Sequence, residues 1–323
     1  MKSGSAINEP ISALELTLLD MREPIHVVPG LIAEGVTVLG GAPKVGKSFL
    51  ALGLAISLAS GHKVLGKIDA GQKAVLYLCL EGTLRDLRNR ILNLSHEGAD
   101  LTQLLIATEW PVGAEGVKKL EKWLGENPEV KFVIIDTLQA FRGPSRSSGN
   151  NYERDYNDLQ PISQLAYGCD VDILILHHLK KGGDHSDDFD ALSGSTAIRG
   201  AVDNQAIMIP SGDGGVALRT EGRDLERVEV KLVRAEGSLG WTLSELPPGI
   251  RDSQVEKLII GAMKSLGLSS VSPLEVAIEL DRMGEEYNPD SVRTTLSRLA
   301  RRDNTGIVRT KRGQYGFEAT VQQ

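Results

Sequence analysis

The chain has 323 residues, of which 36 are Lys or Arg and 43 are Asp or Glu, so its formal charge is -7. Hydrophobic residues make up 41% and charged residues 24%, which are ordinary globular values and exclude a disordered, fibrous or collagen-like chain. The mild acidity argues against a protein coated in nucleic acid over its whole surface. The length allows one large domain and one small domain.

Two cysteines, Cys79 and Cys169, are too few for a disulfide framework or a Cys-rich zinc site. Both lie in apolar runs, which predicts buried thiols in a reducing compartment. The first 20 residues lack a basic segment followed by an apolar one, so no secretory signal is visible. The longest apolar stretch, 49–59, is too short to span a bilayer. We therefore expect a cytoplasmic protein with no membrane partner.

Strands alternate with helices through the first 180 residues. Apolar runs at 35–41, 74–81, 104–108, 132–138 and 171–178 predict strands, and helical spacing at 48–61, 84–94, 117–127 and 158–168 predicts the helices between them. Gly61 is a good C-cap for the first of these helices. Strands rich in Val, Ile and Leu that alternate with helices indicate an α/β fold with a parallel sheet covered on both faces. Segments 214–220, 227–235 and 239–245 predict antiparallel strands after it.

The tail of the chain has a different pattern. Segment 246–252, with paired prolines and a glycine, is interpreted as a linker. It divides a core at 25–245, preceded by an arm at 1–24, from a small domain at 253–323. That domain shows three helical segments with Ser253, Ser272 and either Asn288 or Asp290 as cap candidates. Two short strands around the turn at 311–313 follow, which is the pattern of a winged helix-turn-helix.

The strongest motif is a phosphate-binding loop, G-x-x-x-x-G-K-[ST], between the first predicted strand and its helix. Its glycines let backbone N–H groups surround a polyphosphate, and the helix N-terminus adds its positive end. Lys47 would reach the β- and γ-phosphates, and Ser48 would bind Mg²⁺. The expected ATP-binding residues are Gly41, Ala42, Pro43, Lys44, Val45, Gly46, Lys47, Ser48 and Phe49.

Two carboxylates end other predicted strands. Asp136 closes the run 132–136, where a carboxylate meets the magnesium shell at the carboxyl edge of the sheet. Many motor ATPases place a glutamate next, but here the next residue is Thr137, so the base that orients the attacking water must lie elsewhere. Glu81 ends the strand 74–81, which we expect beside the strand 35–41, and it is the candidate base. A solvated strand end is the alternative for Glu81.

These motifs together resemble the RecA-like ATPases, most closely the RepA-like hexameric helicases, over residues 25–240. The resemblance rests on the loop 41–48, Glu81, the run 132–138, the strand with its basic end at 173–182, and the segments 192–204 and 230–237. It implies a ring, or ATP sites shared between neighbouring subunits. It also implies that Glu81 is the catalytic base and Asp136 the magnesium carboxylate.

The resemblance implies further catalytic residues. His177 would sense the γ-phosphate and relay its state to a nearby loop. Lys231 and Arg234 occupy the place of a basic pair that reaches the ATP of the next subunit, and Arg199 is a second candidate finger. An arginine supplied across an interface can add several orders of magnitude in rate. Two basic residues three apart on a strand point to opposite faces, so a solvated side chain is the alternative for either.

Two polar loops, 142–156 and 180–196, follow strands whose ends would face a central channel in such a ring. Arg142, Arg146, Lys180 and Lys181 could contact a single-stranded DNA backbone there. The second loop also carries four aspartates between 184 and 190, which would repel phosphates. Mobile loops without a ligand are the alternative.

The basic end of the chain predicts contacts with duplex DNA. A winged-helix domain lays its third helix, here near 291–302, in the major groove and places its wing, 309–315, on the backbone. The charge would come from Arg293, Arg298, Arg301, Arg302, Lys311 and Arg312. Winged helices also bind proteins, and that reading stays open.

The leading interpretation is a ring-forming, ATP-hydrolysing DNA motor or helicase. One alternative is a regulatory switch that binds ATP and recruits DNA or a protein without unwinding, which the acidic loop favours. Another is a recombination mediator that forms filaments.

Overall fold

The computed structural model describes residues 10–19, 26–142, 151–178, 189, 197–212, 214–302 and 305–318; the side chains of residues 151–155, 197, 199 and 248 lie outside that description. The chain divides into two compact units, Met1–Leu246 and Pro247–Gln323. Within the described residues, no helix is both long and apolar enough to cross a membrane.

The first unit is built on one large, mostly parallel sheet. Its described strands are β3 (Val36–Gly41), β4 (Ala74–Cys79), β5 (Leu104–Ala107), β6 (Val130–Asp136), β7 (Asp172–His178), β8 (Asn204–Pro210), β9 (Val216–Gly222), β10 (Val228–Arg234) and β11 (Trp241–Leu243). Their order is β11-β10-β9-β8-β3-β7-β6-β4-β5. The strands from β8 to β5 pair in parallel, and those from β8 to β11 pair antiparallel. The sequence predicts a parallel group followed by antiparallel strands, but β8, which joins the two groups, was not predicted. A short antiparallel pair, β1 (His26–Val28) and β2 (Ile32–Ala33), precedes it.

Helices lie on both faces of this sheet. The helices of this unit are α1 (Ala13–Thr17), α2 (Lys47–Ser60), α3 (Leu84–Leu94), α4 (Gly113–Glu126), α5 (Leu138–Arg142), α6 (Asn151–Cys169) and α7 (Ala197–Ala201). Of these, α1 buries no residue. Alternate strand residues such as Leu76 and Ile135 share one buried cluster with Leu124 of α4 and Leu159 of α6. Helix α2 contacts the same strands but contributes no residue to that cluster, so it covers the opposite face.

The strand that carries Glu81 does not lie beside the strand of the phosphate loop. β3 pairs with β7 and β8, whereas β4 pairs with β5 and β6, so two later strands separate β4 from β3. The expectation of adjacency is wrong because it assumed that strands consecutive in the chain are neighbours, which is only a tendency. The chain leaves β3 in one direction and returns on its other side at β8. A sheet of this kind binds ligands at such a switch point, outside the carboxyl ends of the strands.

The second unit contains three helices followed by a hairpin. These are α8 (Pro248–Leu266), α9 (Pro273–Arg282), α10 (Pro289–Leu299), β12 (Ile307–Lys311) and β13 (Gln314–Phe317). Ser272 and Asn288 cap α9 and α10 with their side chains, as predicted. Helix α8 starts within the proposed linker, and Ser253 does not cap it, because Pro248 is well suited to the first helical position.

Two narrower expectations are also revised. Cys79 is buried, but Cys169 is only partly so. The segment 142–156 is not one long loop, because Arg142 ends α5 and α6 begins at Asn151.

Candidate nucleotide-binding and catalytic site

The phosphate loop joins β3 to α2 at the switch point of the sheet. Lys44 and Gly46 have left-handed φ values of 66° and 104°, which turn the loop around its own N–H groups. A Cβ on Gly41 would lie 2.9 Å from Val45 Cγ1 and 3.1 Å from the Met208 carbonyl. Glycine is therefore required there by packing. The first N–H groups of α2 have no partner within the helix and suit an anion.

Lys47 lies almost fully buried at the centre of this loop. Its Nζ donates to the carbonyl oxygens of Gly41 at 2.8 Å and Ala42 at 3.1 Å, and lies 3.3 Å from Nδ1 of His178. Burial lowers the pKa of Lys47, while the charges of Asp136 and Glu81 raise it. An anionic ligand beside Nζ would favour the charged lysine for the same reason.

Asp136 ends β6 opposite Lys47 and is buried. The hydroxyl of Tyr77 donates to Asp136 Oδ2 at 2.8 Å, and Ser48 also forms a side-chain hydrogen bond with this carboxylate. Burial raises the pKa of Asp136, and the two hydrogen bonds oppose that rise. A carboxylate beside a hydroxyl on a helix N-terminus offers the hard oxygen ligands that Mg²⁺ prefers, so Ser48 and Asp136 fit the metal.

Glu81 lies two residues beyond β4, at the mouth of the same cleft. It accepts a hydrogen bond of 2.8 Å at Oε1 from the hydroxyl of Thr137, which is buried next to Asp136. The pairing of Cys79 with Asp136 at the ends of β4 and β6 brings the two carboxylate segments together. Glu81 thus enters the cleft from the end of β4, the strand that pairs with β6 and its Asp136.

The cleft that these residues enclose has a volume of about 300 Å³. It is lined by Lys44, Gly46, Lys47, Ser48, Phe49, Glu81, Arg90, Asp136, Thr137, His178 and Arg234. Arg90 of α3 was not singled out from the sequence, because it reads as one of several polar residues on an amphipathic helix. Its guanidinium lies 5.2 Å from the ring centroid of Phe49, and its charge lowers the pKa of Asp136.

The other predicted catalytic residues take different positions. His178, the residue after the predicted sensor His177 on β7, lines the cleft. Adjacent strand residues point to opposite faces, so His177 and His178 do not project to the same side of the sheet. Arg234 lines the cleft of its own chain, whereas the resemblance implied a reach into the next subunit. Lys231 is exposed on β10, and Arg199 lies in α7 with its side chain outside the described residues.

Of the four loop residues predicted to contact single-stranded DNA, Arg142 lies among the described residues. Arg142 is 6% exposed, and its Nε lies 3.5 Å from Oδ2 of Asp158 on α6. The burial of Arg142 argues against the expectation for this residue, because a buried side chain paired with Asp158 is not presented to a DNA backbone. Arg146, Lys180 and Lys181 lie outside the described residues.

The second unit carries a basic groove between α10 and the hairpin, here called the arginine groove. It is lined by Arg293, Thr294, Ser297, Arg298, Arg301, Arg302, Arg309 and Tyr315. Arg298 bonds to Asp252 and Glu256 of α8 at 3.0 Å each, and Arg302 bonds to Glu256 at 3.0 Å. Two of the predicted DNA contacts are therefore engaged within the unit. Lys311 and Arg312 are exposed at the hairpin turn.

Comparison with known proteins agrees with this geometry. The family model described as "AAA domain" matches residues 19–184. Two curated relatives, the DNA repair protein RadA of Helicobacter pylori strains 26695 and J99, are each 28% identical over 155 residues. That match covers 48% of this chain and 30% of each relative, so the chain spans less than a third of their length.

The solved structure of a DnaB-like replicative helicase, reported with its interactions with primase, shares the fold. It superposes with a TM-score of 0.50 at 13% identity, covering 64% of this chain and 58% of that one. The matched family model extends over half of the chain and includes the phosphate loop, Glu81 and Asp136. The chain therefore belongs to the AAA domain family, and its first unit is a RecA-like P-loop ATPase.

Proposed function

We propose that this protein is an ATP-hydrolysing DNA motor or helicase that acts as a ring, with a C-terminal winged helix that brings it to duplex DNA. The observation that carries the proposal is the convergence of Lys47, Ser48, Asp136 and Glu81 on one cleft. Relatives named for DNA repair and a fold neighbour that is a replicative helicase support the choice of DNA as the partner.

The roles of the residues follow from their positions. Lys47 and the N–H groups at the start of α2 bind the phosphates, and Ser48 and Asp136 would hold Mg²⁺, which neutralises the phosphate charge when bound. Glu81, oriented by Thr137, positions the attacking water and accepts its proton. His178 lies 3.3 Å from the Nζ of Lys47, so it joins His177 as a candidate sensor at the end of β7.

In this proposal, neighbouring subunits of the ring supply further positive charge at the nucleotide site. Arg199 and Lys231 are the candidates to reach a neighbouring subunit in a hexamer. Arg234 acts in its own chain, because it lines that chain's cleft. Single-stranded DNA would run through the channel, contacted by Arg146, Lys180 and Lys181, while Arg301, Lys311 and Arg312 would contact duplex DNA at the winged helix.

A second candidate function is a regulatory ATP-dependent switch that binds DNA or a protein without unwinding. The pairing of buried Arg142 with Asp158 favours it, because it removes one of the cations expected to bind a strand in the channel.

The deciding experiment is ATP turnover with no DNA, with single-stranded DNA and with duplex DNA, at one stated salt concentration. Lys47→Ala is the control for contaminating ATPase. Stimulation by single strands supports the motor, whereas turnover indifferent to both DNA forms supports the switch. Turnover that persists unchanged in Lys47→Ala would contradict the proposed ATPase site.

A further inference from the structure

Trp241, at the outer edge of the sheet, contacts the phosphate loop directly. Its Nε1 donates a hydrogen bond of 3.1 Å to the carbonyl oxygen of Gly46, the residue before the invariant lysine of the motif. The ring packs so closely that a Cβ on Gly46 would lie 2.8 Å from Trp241 Cζ2. The side chain is 9% exposed. This contact joins β11 to the one loop that the nucleotide site depends on most.

The hydrogen bond acts on a peptide group that faces the phosphates. The Gly46 carbonyl also accepts the first helical bond of α2, from the Leu50 N–H at 3.0 Å, so two donors fix its direction. The Gly46–Lys47 peptide is planar and trans, so its N–H points opposite to its C=O. Fixing the carbonyl therefore aims the Lys47 N–H, one of the donors without a helical partner, toward the anion side.

The same indole ring also positions Arg234. The guanidinium carbon of Arg234 lies 3.9 Å from the Trp241 ring centroid and 5.5 Å from that of Phe49, and a further hydrogen bond joins its Nη1 to the Leu239 carbonyl. Arg234 and Trp241 are direct partners across the β10–β11 pair. Because Arg234 lines the cleft, one tryptophan contacts both the loop and a cation at the opening.

We propose that Trp241 is a positioning residue for nucleotide binding: it fixes the Gly46–Lys47 peptide through its N–H and orients Arg234 through its ring. The inference rests on the proposed nucleotide function of the cleft. Trp241 would then contribute to the free energy of nucleotide binding without contacting the reacting atoms.

The test compares Trp241→Phe with Trp110→Phe. Trp110 is a matched control because its Nε1 also donates to a glycine carbonyl, that of Gly116 at 3.0 Å, and a cation, Lys119, lies 4.2 Å from its ring. It lines no part of the cleft among the described residues. Calorimetric titration with ADP and Mg²⁺ should show Kd raised about 5–10-fold in Trp241→Phe, as expected for loss of one hydrogen bond, and unchanged in Trp110→Phe.

Steady-state kinetics provide a readout that a merely structural role would not give. In Trp241→Phe, KM for ATP should rise while kcat at saturation changes little. If Trp241→Phe fails to fold, benzothienylalanine at position 241, which replaces only the N–H by sulphur, gives the same comparison.

Equal ADP affinity in wild type and Trp241→Phe would overturn the inference and leave the ATPase proposal intact. An equal loss of affinity in both tryptophan variants would also overturn it, because the effect would not be specific to the loop. Absence of ADP binding by the wild-type protein would overturn both proposals.

Discussion

The hydroxyl of Thr137 donates a 2.8 Å hydrogen bond to Oε1 of Glu81, which links the carboxyl ends of two neighbouring strands. Thr137 follows the magnesium-binding candidate Asp136 directly, and Glu81 is the candidate base. Many motor ATPases have a glutamate directly after this aspartate, and that glutamate provides the base. This chain has a threonine there, which contacts a glutamate that follows the neighbouring strand of the sheet. The position after Asp136 therefore supports the base instead of supplying it.

Removing the Thr137 hydroxyl should slow hydrolysis without weakening nucleotide binding. Thr137→Val keeps the shape of the side chain but leaves Glu81 free to rotate, so we expect kcat to fall about tenfold, the equivalent of ~1.4 kcal/mol. Thr137→Ser retains a donor and should stay close to wild type. Turnover at saturating ATP and ADP titration measure the two effects; equal kcat in the valine and serine variants would contradict this role.

Variants of Lys47 and Glu81 should distinguish nucleotide binding from ATP hydrolysis. Lys47→Ala removes a buried cation from the phosphate loop, so ADP binding and turnover should both be lost. Glu81→Gln keeps the size of the side chain and removes the base, so kcat should fall by about 10²- to 10⁴-fold with ADP affinity retained. Full turnover in Glu81→Gln would show that Glu81 is only a solvated strand end.

Tyr77→Phe should destabilise the ATPase unit in a pH-dependent manner. The Tyr77 hydrogen bond lowers the pKa of Asp136, so it stabilises the charged carboxylate. Its loss should cost about 1–3 kcal/mol of unfolding free energy at neutral pH, because a buried acceptor loses its donor. The cost should shrink as the pH falls through the Asp136 pKa, since the protonated group no longer needs that donor. Denaturant unfolding at several pH values measures it.

The same variant should require more Mg²⁺ for ADP binding, because Asp136 is less well oriented. Tyr167→Phe is the matched control, since Tyr167 hydrogen-bonds to Asp203 away from the cleft. The Mg²⁺ dependence of Tyr167→Phe should equal that of wild type. An equal shift in both tyrosine variants would argue against a specific effect at Asp136.

Two arginines of the arginine groove should behave differently when replaced. Arg301→Ala should weaken duplex DNA binding at all sequences and reduce the salt slope by about one, as expected for a phosphate contact. Arg298→Ala should instead cost up to about 1 kcal/mol of stability in the second unit, because it breaks the pairs with Asp252 and Glu256. Filter binding at several salt concentrations and thermal unfolding distinguish the two effects. If Arg301→Ala leaves the salt slope unchanged, the groove is not the DNA contact.

Local features of the fold could be predicted because local sequence determines them. Gly61 ends α2 with a left-handed φ of 72°, and Ser272 forms a capping box with Glu275, each as the sequence indicates. The phosphate loop and Asp136 could be predicted because their spacing reflects the chemistry of phosphate and metal. The α/β class with a parallel sheet could be predicted from the alternation of apolar strands and helices, whereas the RecA-like assignment was implied by the resemblance of the motifs.

Long-range partners could not be predicted in the same way. The separation of β4 from β3 depends on where later strands insert. The placement of Arg90 in the cleft depends on how α3 packs, and the burial of Arg142 depends on Asp158, which lies on the next helix. A pattern along the chain identifies a charged side chain, but only the packed structure shows whether its partner is a ligand or another residue.

The hydrogen bond between Trp241 and Gly46 spans 195 positions of the sequence. During synthesis the phosphate loop leaves the ribosome long before β11 exists, so a nascent chain has the motif but lacks the contact that holds it. On the proposed role of Trp241, a chain that lacks β11 would therefore bind nucleotide more weakly than the finished ATPase unit, although it already carries the complete motif.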